Sequence, residues 1–216
     1  VVLPQRIEQL VLDAAPVLGL AGPYPLARTG YDTVLMTGGM IRAEIVKPRF
    51  ARELLASGVG ATSIVFLGGF RAFAGDEIEL APIFGVDGDN EFDAMVGGME
   101  LVFGPLGNPV IRGSRQESDR GKGRGNGDWR VCEWTMGGLV LRVVAAPSSD
   151  PARRRANTAD TYRFWADRVR APEERSVLVV TTPVYVPYQG AGAVEVLGLE
   201  HGLAVETVGA SESASD

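Results

Sequence analysis

One pattern constrains the fold of this chain more than any other: an apolar strand that runs directly into two glycines and then an arginine, present twice. The first copy is residues 33–37 with Gly38, Gly39 and Arg42, and the second is residues 63–67 with Gly68, Gly69 and Arg71. An amphipathic helix, predicted from about residue 46 to residue 57, fits between them. Two strands joined by a helix form a parallel βαβ unit, and ligands of open α/β sheets bind at the carboxyl ends of the strands. The pattern therefore predicts a binding site.

The rest of the chain alternates between predicted helices and strands, which favours an α/β fold. Helices are predicted at residues 5–15, from 87–93 to 103, 157–169 and 190–200, and further strands at 176–182 and 203–208. The central strands are apolar throughout, which is typical of a mostly parallel sheet covered on both faces. Residues 70–88 are predicted to be a long irregular stretch, and stretches of that length in a compact domain are often functional.

Residues 113–146 are predicted to be a loop and a β-hairpin inserted into this domain. Residues 113–128 contain no apolar side chain, which indicates a solvated loop. Two β-rich runs, 129–135 and 139–146, flank a Gly-Gly turn and predict a hairpin at a sheet edge. A length of 216 residues suggests one domain, which we expect to span residues 1–208, with a disordered tail at 209–216.

Composition argues against several classes of function. The chain has 21 basic and 27 acidic residues and a net charge of −6, so we expect no nucleic-acid partner. No apolar run reaches the roughly 18 residues of a membrane span, and no signal peptide is recognised, so we expect a cytoplasmic protein with no membrane partner. One cysteine, Cys132, expected to be buried, and one histidine, His201, predict neither an intrachain disulfide nor a metal site. Whether the chain forms a homo-oligomer is left open.

Anion-binding groups collect at the carboxyl ends of the predicted strands. The two glycine pairs would let backbone N–H groups approach a phosphate or carboxylate, and plain tight turns are the alternative. Arg42, Arg71 and the arginines at 153–155 would bind the same anion, or else they are solvated surface residues. Neither glycine pair matches the dinucleotide fingerprint or a P-loop, so neither a nicotinamide cofactor nor ATP is inferred.

Polar and aromatic side chains around the late strand complete the candidate site. They are Thr181, Thr182, Tyr185 and Tyr188 at the end of that strand, and Asn157 and Thr158 at the start of the preceding helix. The hydroxyls would face a ligand and the tyrosine rings would stack on it, with packing as the alternative. Asn157 and Thr158 are more simply explained as a helix cap. Asp87, Asp89 and Asp93, near Glu91, are best interpreted as residues that favour a helix start.

Five short segments together resemble domain-of-unknown-function family 218, the SanA/ElyC/YdcF-like bacterial proteins. They are residues 34–39, 64–69, 91–95, 158–161 and 179–183. The resemblance implies a Rossmann-like three-layer sandwich, and it places Glu91 at the family's helix-opening Glu. As a catalytic acid or base, Glu91 would need a pKa raised by burial. The resemblance also implies S-adenosylmethionine, whose binding is proposed for one member, or a nucleotide as candidate cofactor, although the residues alone identify none.

The chain departs from the family pattern in two places. Asp160 and Thr161 replace a Glu and an Asn, and Tyr185 and Tyr188 follow the late strand where the family has His and Arg. Whether the tyrosines replace those residues functionally is left open. We expect the chain to bind a small anionic or nucleotide-like molecule, as an enzyme of the transferase or hydrolase type. A non-catalytic ligand-binding, regulatory or interaction module is the alternative.

Overall fold

The structure, a computed structural model, describes residues 3–22, 24–114 and 125–210. These ranges contain seven strands: β1 Thr33–Thr37, β2 Ser63–Gly68, β3 Val110–Gly113, β4 Arg130–Met136, β5 Leu139–Ala145, β6 Ser176–Thr181 and β7 Ala204–Gly209. They also contain six α-helices: α1 Gln5–Val17, α2 Ile41–Ala56, α3 Glu77–Ile83, α4 Glu91–Phe103, α5 Thr158–Arg168 and α6 Val186–Ala193. A π-helical segment, Val194–Glu200, continues α6.

All seven strands belong to one sheet, in the order β3-β4-β5-β2-β1-β6-β7. The five strands from β5 to β7 in this order are parallel, and β4 pairs antiparallel with both β3 and β5. Thr37 at the end of β1 lies opposite Leu67 in β2. This register brings the two glycine turns side by side at the same edge of the sheet.

Helices cover both faces of the sheet, which confirms the predicted α/β class and the Rossmann-like three-layer sandwich. On one face, α2 and α4 pack over Met36, Phe66 and other alternate strand residues. On the other face, α5, α6 and the π-helical segment pack over Leu35, Val65 and their neighbours. Because both faces are covered, every residue of β1 and β2 is buried.

The predicted hairpin forms, but its second strand is part of the central sheet. Residues of β5 pair in parallel with β2 from Ser63 to Gly68, and β5 is buried from Leu141 onwards. Only β4 and the short exposed strand β3, which was not predicted, extend the sheet beyond it. The segment predicted to be an insertion, 113–146, therefore includes β5, which is one of the strands of the parallel sheet. Residues 115–124 of the predicted solvated loop lie outside the described residues.

Several element boundaries differ from those predicted. Helix α2 begins at Ile41, five residues before its predicted start, and α3 occupies part of the stretch predicted to be irregular. The start of α2 is satisfied from elsewhere in the fold, since Glu77 at the start of α3 accepts a hydrogen bond from the backbone N–H of Ile41. Gly209 ends β7 and Ala210 is buried, so the tail was predicted to begin too early. Residues 211–216 lie outside the described residues.

Helices α2 and α4 cross at Gly98, with almost no space between them. A Cβ atom added at Gly98 would lie 2.1 Å from the backbone carbonyl oxygen of Glu44. Such a contact is far inside van der Waals distance, and a backbone oxygen cannot rotate away as a side chain can. Glycine at this position therefore determines how deeply the first turns of α2 sit against α4.

We predict that Gly98→Ala destabilises the protein by roughly 1–3 kcal/mol, the usual cost of overpacking, in spite of the higher helix propensity of alanine. Gly192→Ala in α6 is the matched control, because no heavy atom lies within 4 Å of a Cβ added there. We expect that variant to be neutral or more stable by up to about 1 kcal/mol. Urea unfolding curves give both values, and equal stabilities for the two variants would contradict the close crossing.

Candidate functional site

The carboxyl ends of the central strands open into a cavity of about 870 Å³, a size that fits a nucleotide-sized molecule. It lies at the edge where the two glycine turns meet. All but two of the predicted site residues line it: Gly38, Gly39, Arg42, Gly68, Gly69, Arg71, Glu91, Arg154, Arg155, Asn157, Thr158, Thr182, Tyr185 and Tyr188. Segments that are far apart in sequence therefore meet around one space, as the parallel topology requires.

Arg153 and Thr181 are the exceptions. Arg153 is exposed and does not line the cavity, which corrects its prediction as an anion-binding residue, whereas Thr181 is fully buried behind the cavity wall. Its hydroxyl donates a hydrogen bond to the side chain of Gln189 and accepts one from the hydroxyl of Thr37 at 3.2 Å. Gln189 itself lines the cavity. The structure thus places Thr181 in a supporting position rather than against a ligand.

The carboxylate of Glu91 lies directly beneath the two glycine turns. Its Oε2 accepts a hydrogen bond from the backbone N–H of Gly69 at 3.0 Å. A Cβ atom at Gly38 would lie 2.6 Å from Glu91 Oε1, and one at Gly68 would lie 3.1 Å from its Cδ. Gly38 therefore leaves space for a carboxylate of the protein itself, and Gly68 leaves space for the side chains of Met95 and Glu91. Neither sequence interpretation considered this role.

Burial is the main cause of a raised pKa at Glu91. The N–H group of Gly69 and the positive charges of Arg71, Arg155 and Lys47 act in the opposite direction by stabilising the carboxylate. A carboxyl group whose pKa is raised toward neutrality exchanges protons more readily under physiological conditions. Glu91 therefore has the location and the electrostatic environment of an acid or base.

Arg71 is held in place by a bidentate ion pair with Glu77. The two guanidinium nitrogens lie 2.6 and 2.8 Å from the carboxylate oxygens, and the Glu77 side chain is only 1% exposed. Glu77 also accepts hydrogen bonds from the backbone N–H groups of Ile41 and Ala74, both at 3.0 Å, while Arg71 donates to the carbonyl of Gly39 at 2.7 Å. One carboxylate thus connects both glycine turns and the start of α2.

Two charged residues outside the predicted site, Glu44 and Lys47, are buried beside the glycine turns, and Lys47 lines the cavity. Lys47 Nζ donates to the carbonyl oxygens of Thr37 at 2.5 Å and Gly38 at 3.2 Å. Glu44 Oε1 accepts from the backbone N–H of Gly39 at 2.6 Å. Burial raises the pKa of Glu44 and lowers the pKa of Lys47, and the attraction between the two charges opposes both shifts.

A signal for this pair was present in the sequence. Glu44 and Lys47 stand three residues apart, among apolar residues that form the buried face of α2, Ile41, Ile45 and Ala51. Charges within an apolar helical stripe indicate buried, partnered groups. Because the helix was predicted to begin near residue 46, its first turn and Glu44 were left out.

Among the residues that the structure describes, five with cationic side chains and one with a carboxylate line the cavity. The cations are Arg42, Lys47, Arg71, Arg154 and Arg155, and the carboxylate is Glu91. Arg154 is paired with Asp160 and donates to the hydroxyl of Ser149 at 2.8 Å. The guanidinium groups of Arg42 and Arg155, in contrast, make no hydrogen bond or ion pair to any residue that the structure describes.

Asn157 and Asp160 form a reciprocal cap at the start of α5. The Asn157 side chain accepts from the backbone N–H of Asp160 at 2.9 Å, and the Asp160 carboxylate accepts from the backbone N–H of Asn157 at 3.0 Å. Asp160, at the family's Glu position, therefore serves the helix and Arg154. The tyrosines behave differently: Tyr185 and Tyr188 line the cavity and are 52% and 76% exposed.

Asn90 and Asp93 serve the start of α4. Asn90 caps this helix by accepting from the backbone N–H groups of Phe92 and Asp93, and its amide donates to the Asp93 carboxylate. Within the described ranges, no group of side chains with metal-ligand chemistry comes together. Cys132 is buried, as predicted.

Comparison with known proteins finds uncharacterised mycobacterial relatives. Proteins of Mycobacterium bovis and of two Mycobacterium tuberculosis strains are each 30% identical over 208 residues, which cover 96% of this chain and 57% of the relative. The chain therefore spans little more than half the length of these relatives. No protein-family model matches it, and no solved structure does. Among the described helices, none has the length and apolar character needed to cross a lipid bilayer.

We predict that Glu77→Gln lowers the free energy of unfolding by roughly 3 kcal/mol at pH 7, because it leaves Arg71 largely buried without its charge partner. Arg71 holds the pKa of Glu77 below its ordinary value of 4.5. The ion pair therefore stabilises the fold above that pH, and its contribution is lost as the pH falls through the lower folded-state pKa.

When unfolding is measured from pH 7 to pH 3, the free energies of unfolding of the wild type and Glu77→Gln should consequently become more similar as the pH falls. The control is Glu79→Gln in the same helix, whose side chain is exposed and whose loss should change stability by less than about 0.5 kcal/mol. If the difference in free energy of unfolding between the wild type and Glu77→Gln does not change with pH, the ionised Glu77 carboxylate is not the source of the stabilisation.

Proposed function

We propose that this protein binds a small anionic ligand in the cavity at the carboxyl ends of its strands, and that the ligand is phosphate-bearing and nucleotide-like. The observation that carries the proposal is the charge around the cavity, where, in the described part of the chain, five cations and one carboxylate line the space, although the net charge of the chain is −6. Cations concentrated in a concave site attract and orient an anion. A small molecule, rather than a nucleic acid, fits a local positive site on an otherwise acidic protein.

Arg42 and Arg155 are the groups best suited to bind the anion. Arg71 and Arg154 already bind carboxylates of the protein, and Lys47 donates to backbone carbonyls, so much of their hydrogen-bonding capacity is used internally. Arg42 extends from the start of α2 and Arg155 from the segment before α5. A phosphate between them would receive two planar guanidinium groups, which match its oxygens in bidentate geometry.

The exposed tyrosines favour a ligand with a flat ring. Tyr185 and Tyr188 present large aromatic surfaces at the cavity, and an aromatic side chain stacks on a base with little dependence on its identity. S-adenosylmethionine, which the family resemblance suggests, also combines an anionic group with a base and belongs in the same ligand panel. We further propose a cytoplasmic setting, since a single cysteine leaves the chain independent of internal disulfides.

We predict that Arg42→Ala and Arg155→Ala each weaken the binding of ADP and of pyrophosphate by about 10- to 100-fold, the value of a hydrogen bond to a charged group. Arg153→Ala is the matched control, because Arg153 is exposed, lies beside Asp150 and does not line the cavity. Isothermal titration calorimetry at low ionic strength measures the affinities. Unchanged binding by the Arg42→Ala/Arg155→Ala double variant would contradict the proposed anion site.

We also predict that Tyr188→Ala weakens ADP binding by about 5- to 100-fold while leaving pyrophosphate binding unchanged, because a stacked ring contributes roughly 1–3 kcal/mol per base. Tyr188→Phe keeps the ring and should keep the affinity for ADP. Equal losses for ADP and pyrophosphate would show that Tyr188 serves the cavity in some way other than by stacking.

Two functions remain for such a site, an enzyme and a non-catalytic binding module. The raised pKa of buried Glu91, at the edge of an anion-binding cavity, favours an enzyme of the hydrolase or transferase type. The hydrogen bond from Gly69 to Glu91 favours the module, since it gives the carboxylate a structural role. A chain that binds ADP and never converts any member of a nucleotide panel would favour the module.

A further inference from the structure

Glu91 lines two cavities, not one. Beside the large cavity lies a second, of about 40 Å³, and the two share Gly69, Arg71, Glu91, Arg155 and Ala156. The other described residues that line the small cavity are Phe70, Gly125, Asn126, Asp128 and Ala146. A volume measured in this way must reach about 10–15 Å³ to hold one water molecule. The small cavity therefore has room for a few waters but not for an organic molecule.

The wall of the small cavity is polar and held by hydrogen bonds. Asp128 accepts from the backbone N–H of Gly125 at 2.6 Å. The side-chain amide of Asn126 donates to the backbone carbonyl of Pro151 at 3.0 Å. The backbone carbonyl of Asn126 accepts from the backbone N–H of Ser148 at 2.7 Å. These bonds fix residues 125–128 against residues 148–151, which follow β5. Polar cavities of this size bind ordered water, whereas apolar ones stay dry.

We propose that this small cavity, which we call the water site, holds the attacking water of a phosphate hydrolysis, and that Glu91 takes up its proton. The inference rests on the proposed function, because it needs a phosphate-bearing ligand in the large cavity. Arg155, one of the two arginines proposed to bind the anion, lines both spaces, so the phosphorus of a phosphate bound to it would lie near the junction. Glu91 lines both spaces as well, which is the location that a general base requires.

The proposed step balances with water as the only co-reactant. One O–H bond of the water breaks, and its proton goes to the Glu91 carboxylate. The water oxygen forms a bond to the terminal phosphorus, the bond from that phosphorus to the bridging or ester oxygen breaks, and the electron pair leaves with that oxygen. The guanidinium groups stabilise the charge on the phosphoryl oxygens, and Glu91 returns its proton to the leaving group or to solvent.

Size separates hydrolysis from transfer at this site. If the attacking group enters from the small cavity, about 40 Å³ leaves room for water but not for a sugar or an amino acid as acceptor. Water fits and is always present. The geometry therefore points to a hydrolase within the broader class that the large cavity supports.

The test uses the full chain with ADP, UDP and p-nitrophenyl phosphate, each with and without Mg²⁺, in water enriched in ¹⁸O. We expect release of inorganic phosphate that carries one oxygen atom from the solvent. Glu91→Gln preserves the shape of the side chain and an oxygen that can accept from Gly69, but it cannot take up a proton. We expect it to lower the rate by about 10²- to 10⁴-fold and to change the Kd for ADP by less than about threefold.

The water site is tested separately by filling it. Asn126→Leu replaces an exposed lining residue with an apolar one, and we expect kcat to fall at least about tenfold while the Kd for ADP stays the same, since attack by water is the step removed. Asn108→Leu, the same change at an exposed residue that lines neither cavity, should leave kcat unchanged. Thermal unfolding of each variant checks that the fold is intact.

The outcomes distinguish this inference from the proposed function. If ADP or pyrophosphate binds but no probe releases phosphate, the hydrolase is overturned and the binding site stands. If neither binds, the proposed function fails and the hydrolase fails with it. If Asn126→Leu releases phosphate as fast as the wild type, the water site is overturned. If Glu91→Gln does so, the role of Glu91 as the proton acceptor is overturned.

Discussion

The contact between the Glu91 carboxylate and the two glycine turns is the constraint on which the site depends. The parallel register of β1 and β2 places Gly38 and Gly68 side by side, and the absence of Cβ atoms lets the carboxylate enter between the strand ends. Entry into this space removes water from Glu91 and raises its pKa. The close approach of Glu91 to the strand ends is thus also the cause of its raised pKa.

Compensation of charge decides which of the surrounding cations serve the fold and which are left for a ligand. Buried charges cost several kcal/mol unless they are paired. Arg71 is therefore paired with Glu77, and Glu44 and Lys47 bind the backbone of the glycine turns, so these charges are used within the protein. Arg42 and Arg155 line the cavity and have no hydrogen-bond or ion-pair partner among the described residues. Rigid internal pairs below and unpaired guanidinium groups above are the arrangement expected of a preorganised anion site.

Much of this architecture could be predicted from local patterns. The doubled strand and Gly-Gly motif led to the parallel sheet, to the edge where the cavity lies and to most of its lining, because strand period and glycine turns are local signals. Three features escaped prediction. Glu44 was missed because α2 was started too late, Glu77 because α3 was taken for loop, and the central position of β5 because a hairpin pattern does not reveal which strand its second arm will join.

By itself, the sequence determined the fold class and the residues that reach one edge of the sheet, since apolar periodicity sets the elements and parallel pairing collects their carboxyl ends. Only the tertiary structure decided what those residues do there. It showed that the glycines accommodate Glu91, that Thr181 supports Gln189 instead of facing the cavity, and that the same carboxylate borders a second, water-sized space. Distances, burial and charge compensation arise between segments far apart in the chain, and no local pattern records them.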